Sequence, residues 1–307
     1  MYQSPLNYTG GKFKLLSQIL PLFPERIDTF VDLFCGGCNV GLNVNANSVL
    51  YNDADEHLKY LFQMFKNLDK SVTFDLINQV IDEYGLSRVS EHSYEFYGCN
   101  GGDGLGSYNK DKFLKLRADY NAKSGEDYYK FIMLYVLIVY AFNNQIRFNG
   151  NGEFNLPVGK RDFNARMIEK LSSFIDRVKD QDCYFSSVDF REVNTDGLTP
   201  NDFVYADPPY LITCATYNEQ DGWSESDECD LLAFLNDLDN RHIRFALSNV
   251  LRSKGKENNI LLGWLDQNKG KYRAIPLKYD YSNSNYHTKD RVSGSEEVLV
   301  VNYSISK

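Results

Sequence analysis

The tetrapeptide Asp207-Pro208-Pro209-Tyr210 follows directly on the apolar run Phe203-Val204-Tyr205-Ala206. Such a run reads as a buried strand, and a plain connection would end it with a Gly- or Asn-bearing turn. Two consecutive prolines are a costlier stop. Each fixes φ near about −65° and lacks an N–H, so the carbonyls ahead of and between them are held rigidly, with no local amide competing for them. The stretch is built to present hydrogen-bond acceptors.

Two glycine turns and a carboxylate add to it. Asp32-Leu33-Phe34-Cys35-Gly36-Gly37 ends a strand-like run, and the following "CNVGLNVNA" reads as the start of a helix, so a ligand is able to approach both the backbone and a helix N-terminus. The next strand-like run, "SVLYND", ends in Asp53, at the place where such folds bind the hydroxyls of a nucleoside's ribose. Near the N-terminus, Asn7-Tyr8-Thr9-Gly10-Gly11-Lys12 is a second glycine turn leading into the helix-like "FKLLSQIL". Each has a plainer reading, as a packing glycine or a helix entry with a solvated lysine; together they favour a nucleoside cofactor. Cys35 and Cys38 have CxxC spacing, but without a second pair or neighbouring histidines they read as small thiols beside a turn rather than a zinc site, and no metal is expected.

The elements that must position these residues alternate. Strand signals at 29–34, 48–53, "DCYFSSVDF", "DFVYA", "IRFALSN" and "EEVLVVNYS" are separated by helix signals, including 225–238 and 257–267. This predicts an α/β doubly wound, mostly parallel sheet. From about 59 to 160 the pattern becomes mainly helical, with "FIMLYVLIVYAF" (131–142) as a buried helix and Asn149-Gly150-Asn151-Gly152 as a β-hairpin signal. The expected organisation is one domain built from 1–58 and 161–307, interrupted by an insertion at 59–160.

With 43% hydrophobic and 24% charged residues the chain is ordinary globular material. No run approaches the ~20 apolar residues of a membrane span, and the first residues lack a signal-peptide pattern, so a cytoplasmic protein is expected. A formal charge of −9 weighs mildly against a polyanionic partner. Basic residues nevertheless cluster at Lys12 and Lys14, in "GKRDFNAR" (159–166), "RSKGK" (252–256) and "NKGKYR" (268–273), and at Lys289 and Arg291; on one face they would make a local basic cleft.

"YTGGK", "FVDLFCGG" with a downstream "YND", "RFNGNGEFNLPVG", "DPPY" and "LSN" occur in an order and spacing that resembles Dam-type adenine-N6 DNA methyltransferases, over almost the whole chain and least over 60–130. The resemblance implies a Rossmann-like class I catalytic domain using S-adenosylmethionine, with 59–160 as its target-recognition insertion. It implies that Tyr8, Gly10, Gly11 and Lys12 border the cofactor, that Asp32, Phe34 and Gly36 lie under its methionine part, that Asp53 holds the ribose, and that Asp189 and Phe190 flank the adenine. Asp207, Pro208, Pro209 and Tyr210 would receive the target base; Phe142, Asn143, Gln145, Arg147 and Pro157 match positions used around a flipped base and on base edges. Asn7 stands where GATC enzymes usually carry a lysine and Gln145 where many carry an apolar residue, so GATC is not implied as the target.

An exocyclic adenine amine is a poor nucleophile because its lone pair is delocalised into the ring. Acceptors at both of its N–H groups, here the Asp207 carboxylate and the Pro208 carbonyl, favour a pyramidal nitrogen, and Tyr210 offers a stacking face. Implied partners are duplex DNA and, where a restriction system is present, a cognate restriction endonuclease. The alternatives are N4-cytosine methylation (where Ser more often replaces Asp207), RNA methylation, and a non-catalytic DNA-binding protein of the same fold. The polar loop at 281–297 is expected to close over substrate or to contact phosphates.

Overall fold

The computed structural model describes residues 1–100, 102–125, 127–213, 222–278 and 295–305. Its elements begin with α1 (Leu16–Ile19), β1 (Thr29–Asp32), β2 (Ser48–Asn52), α2 (Glu56–Asn67), α3 (Lys70–Tyr84), α4 (Gly106–Ala122), α5 (Tyr128–Tyr140) and α6 (Ala165–Asp180). They continue with β3 (Cys183–Ser186), β4 (Phe203–Ala206), α7 (Glu225–Asn240), β5 (Arg244–Ser253), β6 (Lys256–Glu257), α8 (Asn259–Gln267), β7 (Arg273–Leu277) and β8 (Glu296–Val301). The chain packs as two compact units: a helical one, Met1–Gly11 with Asp55–Phe185, and a sheet-bearing one, Lys12–Ala54 with Ser186–Lys307. No helix among the described residues is long and apolar enough to cross a membrane.

In the sheet-bearing unit the strand order from β2 onward is β2-β1-β4-β5-β8-β7. β2, β1, β4 and β5 run parallel, and β8 lies antiparallel between β5 and β7. This is the mixed α/β class with a central, mostly parallel sheet that the alternation implied. All four residues of β4 are buried, as expected of a strand covered on both faces. Their period-2 alternation sorts them: Val204 and Ala206 join Leu231, Leu235 and Leu238 of α7 and Leu261 of α8 in one core. Phe203 and Tyr205 meet Phe23 on the other face, at ring distances of 4.8 and 5.6 Å.

The helical unit is built around α5. Every residue from Phe131 to Tyr140 is buried, because a helix apolar all round has no solvent face to offer. Asp127 caps it by accepting from Lys130 N at 2.7 Å. α6 packs against α2 through Phe174, whose ring lies 5.2 Å from Phe62.

Three local expectations are corrected. Residues 33–43 form consecutive turns and do not open a helix. Cys38 sits at φ 62, outside the right-handed helical region, and Gly41 N donates to Asp32 Oδ2 (3.1 Å), giving that amide a side-chain acceptor. The helix signal after Lys12 is only a 3-10 turn, Lys12–Leu15, followed by the four residues of α1. The hairpin consists of isolated antiparallel bridges, Phe148 to Phe154 and Ala141 to Val158, rather than a ladder. Its turn is closed by the Asn149 side chain, which accepts from Asn151 N and Glu153 N at 3.0 Å each, and by Gly152 at φ 75.

Candidate active site

β1 leads to β2 on one side, whereas β4 and β5 lie on the other, so the strand order reverses between β1 and β4. Open α/β sheets bind ligands at the carboxyl ends of the strands flanking such a switch point. Those ends carry Asp32 and Asp207. The register pairs Asp32 with Tyr205, and Leu33 N continues the ladder by donating to Tyr205 O (2.9 Å).

Asp207 does not stand alone. Lys12 Nζ lies 2.8 Å from Asp207 Oδ1 and 3.8 Å from Glu297 Oε1, with the lysine and glutamate side chains each 5% exposed. Tyr210 OH donates toward the same two oxygens, at 3.1 and 3.0 Å. The Lys12 ammonium also lies over the Tyr210 ring, 4.9 Å from its centroid. Burial pushes the Asp207 carboxyl above its ordinary value, opposed by Lys12 and by the Tyr210 hydrogen bond. Burial raises Glu297 as well, against the same two partners. The single Lys12 ammonium thus works against the effect of burial on both carboxyls, favouring their ionised forms. Both described contacts to Asp207 fall on Oδ1, leaving Oδ2 as the oxygen they do not use. Lys12 covers one face of Tyr210, so only the other can take a stacked base.

The turn after β1 is tied to the end of β2. Gly36, at φ 47, donates its N–H to Asp53 Oδ2 (2.9 Å), and Cys35 N donates to Asn52 O (2.7 Å). Asn52 Nδ2 donates to Leu33 O (3.2 Å) and Val188 O (3.0 Å), joining three loop segments. Asp32 is 2% exposed; burial, with Asp207 and Asp53 adding repulsion, outweighs the Gly41 hydrogen bond and pushes its carboxyl to about 8. Gly41 is required by packing: a Cβ there would meet Tyr51 Cε1 at 2.3 Å.

Beside this turn Phe34, Phe190 and Trp223 form an aromatic cluster with centroids 5.5 to 5.7 Å apart. Asp189 accepts from Arg191 N (2.9 Å) and pairs with the Arg191 guanidinium, which also binds Asp227 and Asp230. A cluster of mutually tilted aromatic rings, a glycine without Cβ and a carboxylate at the tip of β2 make a donor and contact set that fits a nucleoside cofactor.

The expected residues divide between the units. Lys12, Asp32, Phe34, Gly36, Asp53, Asp189, Phe190 and Asp207 to Tyr210 lie in the sheet-bearing unit; Tyr8, Gly10, Gly11, Phe142, Asn143, Gln145, Arg147 and Pro157 lie in the helical unit. There, Gly11 N closes a turn on Tyr8 O (3.1 Å), with Gly10 at φ 80. Asn7 Nδ2 donates to Asn143 O and Asn144 Oδ1, both at 3.4 Å. Phe142 is 50% exposed rather than a core aromatic, and its N–H donates to Pro157 O (2.9 Å). Arg147 is exposed and held from one side by Asn155, whose Oδ1 accepts from Nε (2.7 Å) and whose carbonyl accepts from Nη2 (3.3 Å).

Sequence reasoning missed Glu297, Trp223, Glu228 and Asn155. Glu297 had a signal: it shares one face of β8 with the buried Leu299 and Val301, a position where an unpaired carboxylate is not tolerated. The basic loops are also partly neutralised, since Arg252 pairs with Glu257 and Glu296, Lys269 with Asp266, and Lys271 with Asp239. Lys289, Arg291 and nearly all of the 281–297 loop lie outside the described residues.

The fold is mixed α/β with a central, mostly parallel sheet, and its strand ends carry the carboxylates and the glycine turn described above. Residues 8–290 match the family model of D12 class N6 adenine-specific DNA methyltransferases, and the chain belongs to that family, which implies S-adenosylmethionine as methyl donor. It is 39% identical to the modification methylase StsI of Streptococcus sanguinis and 40% identical to the type II methyltransferase M.FokI of Planomicrobium okeanokoites. Each alignment covers 98% of this chain but only 43% of the relative, so the chain spans less than half their length. A DNA adenine methylase of Serratia marcescens is 25% identical over 69% of this chain and 68% of its own.

Proposed function

We propose that the chain transfers a methyl group from S-adenosylmethionine to N6 of an adenine flipped out of duplex DNA. The observation that supports this reading most directly is the Asp207 carboxyl at the end of β4, paired with Lys12 and Tyr210 through Oδ1, with its Oδ2 turned to no described partner of that network. Asp207 Oδ2 and the Pro208 carbonyl accept the two amine hydrogens, and the uncovered face of Tyr210 stacks on the base. Asp32, Phe34 and Gly36 lie under the methionine part of the methyl donor, Asp53 holds its ribose, and Asp189 and Phe190 flank its adenine; when bound the donor supplies a sulfonium methyl as electrophile. Lys12, Tyr8, Gly10 and Gly11 border it.

A paired base cannot reach such a site and must be extruded at a cost of a few kcal/mol. We assign target recognition to 59–160. The exposed Phe142 fills the gap left by the base, and Asn143, Gln145, Arg147 and Pro157 face base edges. Two relatives are named modification methylases, which supports a protective role beside a cognate restriction endonuclease. An aspartate at 207 favours adenine over cytosine.

Duplex DNA incubated with the protein and labelled S-adenosylmethionine should yield N6-methyladenine on digestion. Asp207→Ala should lower turnover by at least about 10²-fold, by analogy with removal of one positioned hydrogen-bonding group, while S-adenosylhomocysteine still binds. No transfer to DNA of varied sequence by the intact protein would refute the reading; N4-methylcytosine, or transfer to RNA alone, would replace the substrate.

A further inference from the structure

Glu228, in the first turn of α7, is fully buried. A carboxylate in such a place costs several kcal/mol unless its oxygens are saturated with donors. They are. Oε1 accepts from Asn249 Nδ2 (3.0 Å) and Asn258 Nδ2 (2.8 Å), and Oε2 accepts from Trp223 Nε1 (2.7 Å). The two asparagines have structural duties of their own, Asn258 capping α8 and Asn249 lying in β5.

The tryptophan is the member left to explain. Trp223 immediately precedes the helix cap Ser224, which forms a capping box with Asp227. The residue before a cap commonly packs an apolar side chain against the fifth residue beyond it, which here is Glu228. An apolar pair would bury the helix start without a charged group. The Glu228 carboxyl instead fixes the direction of the indole: its N–H points inward to Glu228, and its ring stands at 80° to Phe34, 5.6 Å away, and 5.7 Å from Phe190. Trp223 is only partly buried, so part of the ring remains available to a ligand.

We propose that Trp223 is an aromatic wall of the purine end of the nucleoside site, contacting the adenine of the methyl donor, and that Glu228 is the positioning residue that orients it. This rests on the methyl-donor reading above. Phe190 is already assigned to the adenine and Phe34 to the floor under the methionine part, and the third ring touches both in a cluster whose members approach edge-on and tilted, leaving ring faces for a planar base.

The chain has two tryptophans, and the other, Trp264, packs on Phe245 and Tyr272 with its Nε1 bonded to Asn236. Trp264→Phe therefore leaves Trp223 as the sole indole. Titrating that variant with S-adenosylhomocysteine should give a saturable change in tryptophan emission whose midpoint equals the calorimetric Kd. Trp223→Ala should raise that Kd about tenfold, the worth of one aromatic contact, and Trp223→Phe less. Glu228→Gln places a donor against the indole N–H; in the Trp264→Phe background it should shift the emission and raise KM for S-adenosylmethionine with kcat little changed. Calorimetric binding with no change in Trp223 emission, or an unchanged Kd in Trp223→Ala, overturns the proposal while leaving the methyltransferase reading intact. Absence of S-adenosylhomocysteine binding to the wild-type chain overturns both.

Discussion

Replacing Lys12 by methionine keeps most of its volume and removes the one cation between Asp207 and Glu297 among the described residues. With an effective dielectric of about 20, the attractions at 2.8 and 3.8 Å amount to about 6 and about 4 kcal/mol before desolvation is counted. Burying the lysine offsets much of this, and breaking a buried ion pair costs about 3 to 5 kcal/mol net. Taking about 3 kcal/mol as acting on Asp207 raises its carboxyl by about 2 pH units. An ionised Asp207 is the stronger acceptor for an amine hydrogen, so protonation lowers activity as pH falls. Lys12→Met should therefore move the acidic limb of the kcat profile upward by about 2 units and, where that limb lies above neutrality, lower the rate at pH 7 about 10²-fold. Methyl transfer to duplex DNA measured from pH 5 to 9 reads this out, with S-adenosylhomocysteine affinity followed separately. Adding Glu297→Gln removes the second charge and should bring the limb partway back. An acidic limb unmoved in Lys12→Met, with cofactor affinity retained, would refute the assignment of Lys12 as the group that keeps Asp207 ionised.

Asp32 gives a stability test. Its carboxyl is raised from 3.8 to about 8, so between those values the folded chain holds a proton that the unfolded chain has released, and stability falls as pH rises through that window. The upper bound is about 6 kcal/mol. Asp32→Asn keeps an acceptor for Gly41 and should gain stability relative to wild type between pH 5 and 8 in urea unfolding; a constant difference would contradict the buried neutral acid. Arg147→Ala should cost about 1 to 3 kcal/mol in binding and relax preference at one base pair, read by sequencing N6-methyladenine positions. Asn155→Ala should weaken preference at the same position, because it frees the guanidinium that Asn155 now holds from one side. Gly159→Ala would place a Cβ 2.3 Å from Ala141 O and should lower stability by about 1 to 3 kcal/mol, seen as a lower denaturant midpoint.

Much of the architecture was legible because its signals are local. Unbroken apolar runs marked β4 and α5, since a strand buried on both faces and a helix buried all round must each be continuously apolar. The same reasoning failed at 33–43, where a side-chain acceptor, Asp32, serves the Gly41 amide and no helix forms. The short bridges around Phe148 and Phe154 likewise depend on asparagine side chains that close the turn and tie down its flanks.

By itself the sequence determined the alternation of elements, the rigid acceptors of Asp207 to Tyr210, and the glycine turn with its strand-end carboxylate. These follow from residue type and spacing. Only the tertiary structure decided that Lys12 spends its charge on Asp207 and Glu297 together, although Glu297 lies far from both in the chain. The antiparallel placement of β8 beside β5, putting Glu297 opposite Val250, brings it there. Charge pairing across such separations is set by strand register, which no short stretch of residues encodes.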